Sequence, residues 1–108
     1  MNAYIKKIYD MIYSPIITPY NLLENAKIDN YSYVKYYKSG AGLATEMECE
    51  IPEEGTKIFY YYFDEKDYLQ KICMEYNGVQ QEVFNREDAI QEAKIEYYGA
   101  KAEYQEVI

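Results

Sequence analysis

Glu46, Glu48 and Glu50 alternate with Met47 and Cys49, in a chain of 108 residues that holds sixteen tyrosines, no tryptophan and no histidine. Carboxylates at this spacing can collect a hard cation through oxygen, as can Asp64 with Asp67, but neither set has the spacing of a calcium loop. A pair of carboxylates can also serve as acid and base, provided a cleft holds them around a substrate. Among nineteen acids such pairs arise by chance. Without histidine there is no Ser–His–Asp or Cys–His set, and no glycine-rich phosphate loop occurs. Zinc needs histidine or cysteine ligands, and Cys49 and Cys73 are too few. The expectation is a protein that is not an enzyme, with no catalytic residue, no metal and no cofactor.

Tyrosine points to contact chemistry instead. Its ring buries a large area at low entropic cost, and its hydroxyl tolerates water. The charge is uneven. Residues 1–40 carry five lysines against three acids, a net +2, while residues 41–108 carry six cations against sixteen carboxylates, a net −10. Such an acidic face repels phosphate and anionic lipid and attracts basic protein surfaces. It also serves solubility alone. With one arginine, Arg86, and the tyrosines set among acids, direct nucleic-acid binding is disfavoured. No apolar run approaches the length of a membrane span, and the first residues lack the order of a signal peptide. A cytoplasmic protein with reduced thiols is expected.

These side chains need a scaffold. Ile5, Ile8, Tyr9 and Ile12 form an apolar stripe that predicts a helix over 2–13, ended by Ser14-Pro15. Thr18-Pro19 opens a second helix over 19–27, expected to bury Leu22, Leu23 and Ala26. From Tyr31 the pattern alternates. Strands are predicted over 31–38, 43–51, 57–63, 68–76 and 79–84, with turns at 39–42, 52–56, 64–67 and Asn77-Gly78. The last helix runs over 86–104 from an Asn85 cap, with Ile90, Ala93, Tyr97, Ala100 and Tyr104 on one face. The whole is one α+β domain, residues 1–108: a two-layer fold, a five-stranded antiparallel meander packed on the N-terminal and C-terminal helices, in the order α-α-β-β-β-β-β-α.

The turns set the register. Asn77-Gly78 pairs Tyr76 with Val79 and Ile72 with Val83; the next turns pair Phe63 with Tyr68 and Ile51 with Lys57. One face then carries Leu43, Met47, Cys49, Ile51, Phe59, Tyr61, Phe63, Ile72, Met74 and Tyr76. Tyr61, Tyr68, Tyr76 and Tyr97 are assigned to the core. The two cysteines fall on opposite faces, which argues against a disulfide.

The other face collects Tyr31, Tyr33, Lys35 and Tyr37, then Glu46, Glu48 and Glu50, Ile58, Tyr60 and Tyr62, and Lys71, Cys73, Glu75, Gln80 and Glu82, with Lys35 opposite Glu46. Tyr31, Tyr33, Glu46, Glu48, Glu50, Tyr60, Tyr62, Glu75 and Glu82 are the candidate partner-binding residues. An ordinary solvated face, or a second core under a helix, would read the same way. The function expected is a small acidic protein-binding module with a basic protein partner. One concrete form is an inhibitor of a basic nucleic-acid-handling protein, of the phage or mobile-element anti-defence type, whose carboxylates imitate nucleic acid. A structural homodimer on the sheet face or an edge strand, and a small-ligand binder with a tyrosine-lined pocket between sheet and helix, are the alternatives.

Overall fold

Helix α1 (Ala3–Tyr13), a 3-10 helix (Pro19–Lys27), strands β1 (Tyr31–Ser39), β2 (Gly42–Ile51), β3 (Gly55–Phe63), β4 (Leu69–Tyr76) and β5 (Val79–Asn85), and helix α2 (Arg86–Val107) succeed one another along the chain. They are seen in a computed structural model that describes residues 2–107, with side chains as far as residue 100. The strands form one antiparallel sheet in the order β1-β2-β3-β4-β5. This is the α+β meander that the turn spacing predicts. Tyr104, placed on the α2 face by sequence, lies outside the described side chains.

Local chemistry explains the element ends. Asn2 caps α1, its Oδ1 accepting from the Tyr4 backbone N–H at 2.7 Å, and Asn85 caps α2 by accepting from the Asp88 N–H at 3.1 Å. Asn77 and Gly78 both have positive φ, 52° and 77°, as a two-residue turn matching the strand twist requires. Gly42 opens β2 where any side chain would collide: a Cβ there would sit 1.9 Å from the Phe63 carbonyl oxygen.

The register differs from the expected one in detail and keeps its parity except beyond three single-residue bulges. Ile51 pairs with Gly55 rather than Lys57, because the β2–β3 loop holds three residues, not five. Phe63 pairs with Leu69 rather than Tyr68, and Gln70 is bulged out opposite the Tyr62–Phe63 step. Ile72 pairs with Phe84 rather than Val83, which a second bulge expels to the surface. Shifts of two residues leave every side chain on its face, whereas a single-residue bulge exchanges the faces beyond it.

The core lies on the inner face. Leu22, Met47, Phe63 and Leu69 are buried together, with Ile17, Tyr31, Val34, Phe59, Tyr61, Ile72 and Phe84 packed around them. Each fully buried apolar side chain contributes about 2 kcal/mol. The 3-10 helix lies on this face over β1 and β2. Its period of three presents Pro19, Leu22 and Asn25 to the sheet, so Leu22 is 5% exposed and Leu23 58%. The expected burial of Leu23 and Ala26 assumed the 3.6-residue period and is corrected by this. Tyr76, also expected in the core, is 39% exposed near the β4–β5 turn.

Helix α1 packs chiefly on α2, which itself meets the ends of β4 and β5. The helix pair extends the molecule to 57 × 33 × 23 Å, with a radius of gyration of 17.4 Å, against about 13 Å for a compact chain of this length. Arg86 ties the parts together. It is 5% exposed, and its guanidinium donates to the carbonyls of Leu69 at 2.9 Å, Ile12 at 3.5 Å and Ser14. A cation on the last carbonyls of α1 complements that helix's dipole.

Candidate functional site

Cross-strand pairing lays the outer face out in rows. One row runs Tyr33, Glu48, Ile58, Glu75, Gln80; the next Lys35, Glu46, Tyr60, Cys73, Glu82; the third Tyr37, Ala44, Tyr62, Lys71, Asn85. Glu50 pairs with Thr56 beyond the first row and is exposed. Among the described residues no helix or loop packs across this face. The 3-10 helix lies on the opposite one, and apart from the small residues Ala44 and Cys73 the side chains named are half-buried or exposed. Eight of the nine candidate residues therefore share the surface.

Tyr31 does not. A bulge at Ser32 pairs Tyr31 with Cys49, which turns it to the inner face, where it packs on the core. Burial pushes its phenol pKa up. Nothing in the alternating run from Tyr31 to Tyr37 marks the bulge, since no glycine or proline occurs there. Tyr33, Lys35 and Tyr37 keep their expected places on the outer face.

The carboxylates divide into two sets. Glu46 is surrounded by donors: the Tyr33 hydroxyl at 2.7 Å, the Tyr37 hydroxyl at 3.5 Å and the Lys35 ammonium at 3.6 Å. Glu75 accepts from the Tyr60 hydroxyl at 2.9 Å. Hydrogen bonding to Glu46 holds the Tyr33 phenol pKa well above its usual value, with burial adding to it. Burial first, then the bond to Glu75, pushes the Tyr60 phenol up to about 12. Glu48, Glu50 and Glu82 make no side-chain hydrogen bond or ion pair among the described residues. Lys35 lies 4.8 Å from the centre of the Tyr33 ring and Lys71 5.0 Å from that of Tyr62. Two tyrosine faces are thus already cation-binding platforms.

The remaining chemistry is structural. Asp64 accepts from the backbone N–H groups of Lys66 and Tyr68 at 2.9 Å and from the Gln70 amide at 3.2 Å, so it builds the β3–β4 loop. Cys49 and Cys73 are buried on opposite faces and unbonded to each other. A depression of about 250 Å³ between β5 and α2 is lined by residues such as Glu82, Phe84, Asp88 and Glu92, and a larger open one of about 470 Å³ by Ser39, Tyr62, Gln70, Lys71, Asn85 and Glu87. No described helix is long and apolar enough to cross a membrane. No protein-family model, curated protein or solved structure matches the chain.

Proposed function

We propose that this chain is a non-enzymatic binding protein whose outer sheet face docks a basic protein. The observation that carries the reading is an uncovered face with Tyr33, Tyr37, Tyr60 and Tyr62 set among carboxylates. Tyr33 and Tyr60 are held in place by Glu46 and Glu75, so little side-chain entropy is lost when a partner binds. Glu48, Glu50 and Glu82 remain to meet its cations, and arginines of the partner can displace Lys35 and Lys71 from the tyrosine rings. Along β2, Glu46, Glu48 and Glu50 follow one another at about 7 Å. A row of negative charge of this kind suits a cleft built for a nucleic-acid backbone, so the concrete form of the proposal is an inhibitor of a nucleic-acid-handling protein. Action in the cytoplasm, with thiols reduced and no membrane or direct nucleic-acid contact, belongs to the same reading.

The test is capture on the immobilised chain, wild type beside the triple variant E48Q/E50Q/E82Q. The expected result is a basic protein retained by the wild type and released from the variant at lower salt. A partner that elutes identically from both would remove this face as the site.

A further inference from the structure

Helix α1 carries one broad apolar arc and α2 covers only one edge of it. At 100° per residue, Ile8 and Met11 fall on the side turned to α2, and these are the half-buried members of the helix. Ile12, Ile5, Tyr9 and Tyr13 continue the same apolar arc beyond Ile8 and away from α2, each between 37% and 61% exposed. No buried residue occurs anywhere in α1. Four large apolar side chains in line on one exposed helix face are a docking surface rather than scattered surface residues.

The flank of the stripe identifies its occupant. Lys6 and Asp10 lie along one edge of it, one turn apart, and pair with each other at 2.8 Å while both stay more than half exposed. When two copies of a helix pack antiparallel about a twofold axis, like flanks face each other. Lys6 of one copy then stands across from Asp10 of the other, and the twofold repeats the pair. A parallel arrangement instead sets this flank against the Ile8 side, which offers no charge. We infer that the exposed stripe of α1 is a homodimer interface, α1 packed antiparallel on α1 of a second copy, with Ile5, Tyr9, Ile12 and Tyr13 at its centre and Lys6–Asp10 pairs at its rim. Two such stripes bury on the order of 1,000 Å² in total, near the lower limit of a specific interface. The dimer is therefore a weak, concentration-dependent one. It uses no residue of the outer sheet face and stands or falls separately from the proposed function.

Sedimentation equilibrium over a wide concentration range tests it on the full chain. The wild type should pass from monomer to dimer as concentration rises. Lys6→Glu and Asp10→Lys, each with circular dichroism to check folding, should each weaken self-association by roughly tenfold, since like charges then meet at two symmetric places. Mixed in equal amounts, the two variants should dimerise with each other about as well as the wild type does. Tyr9→Ser, at an exposed position that the monomer does not need, should weaken the dimer by about tenfold or more. A chain monomeric at every concentration overturns the proposal and leaves the stripe to a different partner, as does a dimer indifferent to Tyr9→Ser. A dimer that Tyr9→Ser weakens while both charge variants leave it unchanged overturns the antiparallel arrangement.

Discussion

Two residues show how a single side chain can organise a surface or a junction. Tyr60 keeps its proton to about pH 12 in the folded state, whereas an unfolded tyrosine loses it near pH 10. The folded form therefore binds the proton more tightly. Its contribution is complete below about pH 10 and is lost as pH rises through the folded value. Tyr33, raised by its bond to Glu46, acts in the same direction. Stability should stay level up to about pH 10 and fall above it, and Tyr60→Phe should shrink that fall; phenolate absorbance beside a denaturant series at each pH reads both. Arg86 is the larger structural commitment. Arg86→Ala leaves carbonyls of Leu69, Ile12 and Ser14 without their charged donor, so a loss of roughly 2–4 kcal/mol in urea unfolding is expected. Arg86→Lys should recover little, because an ammonium cannot reproduce the planar fork. Sequence exposes Arg86 as the one arginine, but its three partners come from elements far apart in the chain, and no local pattern announces them.

At the scale of elements, the 3-10 helix separates two readings of one sequence. Leu22 and Leu23 are adjacent and chemically identical, yet only Leu22 reaches the sheet. Leu22→Ala should cost about 2–4 kcal/mol, while Leu23→Ala should stay within about 0.5 kcal/mol. Equal losses at both positions would mean an α-helical period over Pro19–Lys27. Strands were legible because alternation and turn chemistry agree with each other. The Asn77-Gly78 turn alone fixes the β4–β5 partners as far as Cys73. What sequence did not reveal were the single-residue bulges at Ser32, Gln70 and Val83. None of the three positions carries the glycine or proline that would mark a bulge in the sequence. The Ser32 bulge matters for the site, since it moves Tyr31 from the outer face to the core.

The whole molecule keeps its two unsatisfied surfaces apart. The acidic, tyrosine-rich face belongs to the sheet, and the exposed apolar stripe belongs to a helix pair that extends the molecule to 57 Å. Composition predicts an acidic binding surface without showing that Glu46 and Glu75 are engaged by tyrosine hydroxyls. Only the pairing of β1 with β2 and β3 with β4 makes those bonds. The carboxylates left to meet a partner are Glu48, Glu50 and Glu82, and the central claim rests on them. The most direct measurement is the salt dependence of affinity for the basic protein captured on the wild-type chain, compared with E48Q/E50Q/E82Q. Binding through the outer sheet face predicts weaker binding and a shallower dependence on salt for the variant, because three charges no longer contribute. Equal affinity and equal salt dependence for the two chains would contradict it.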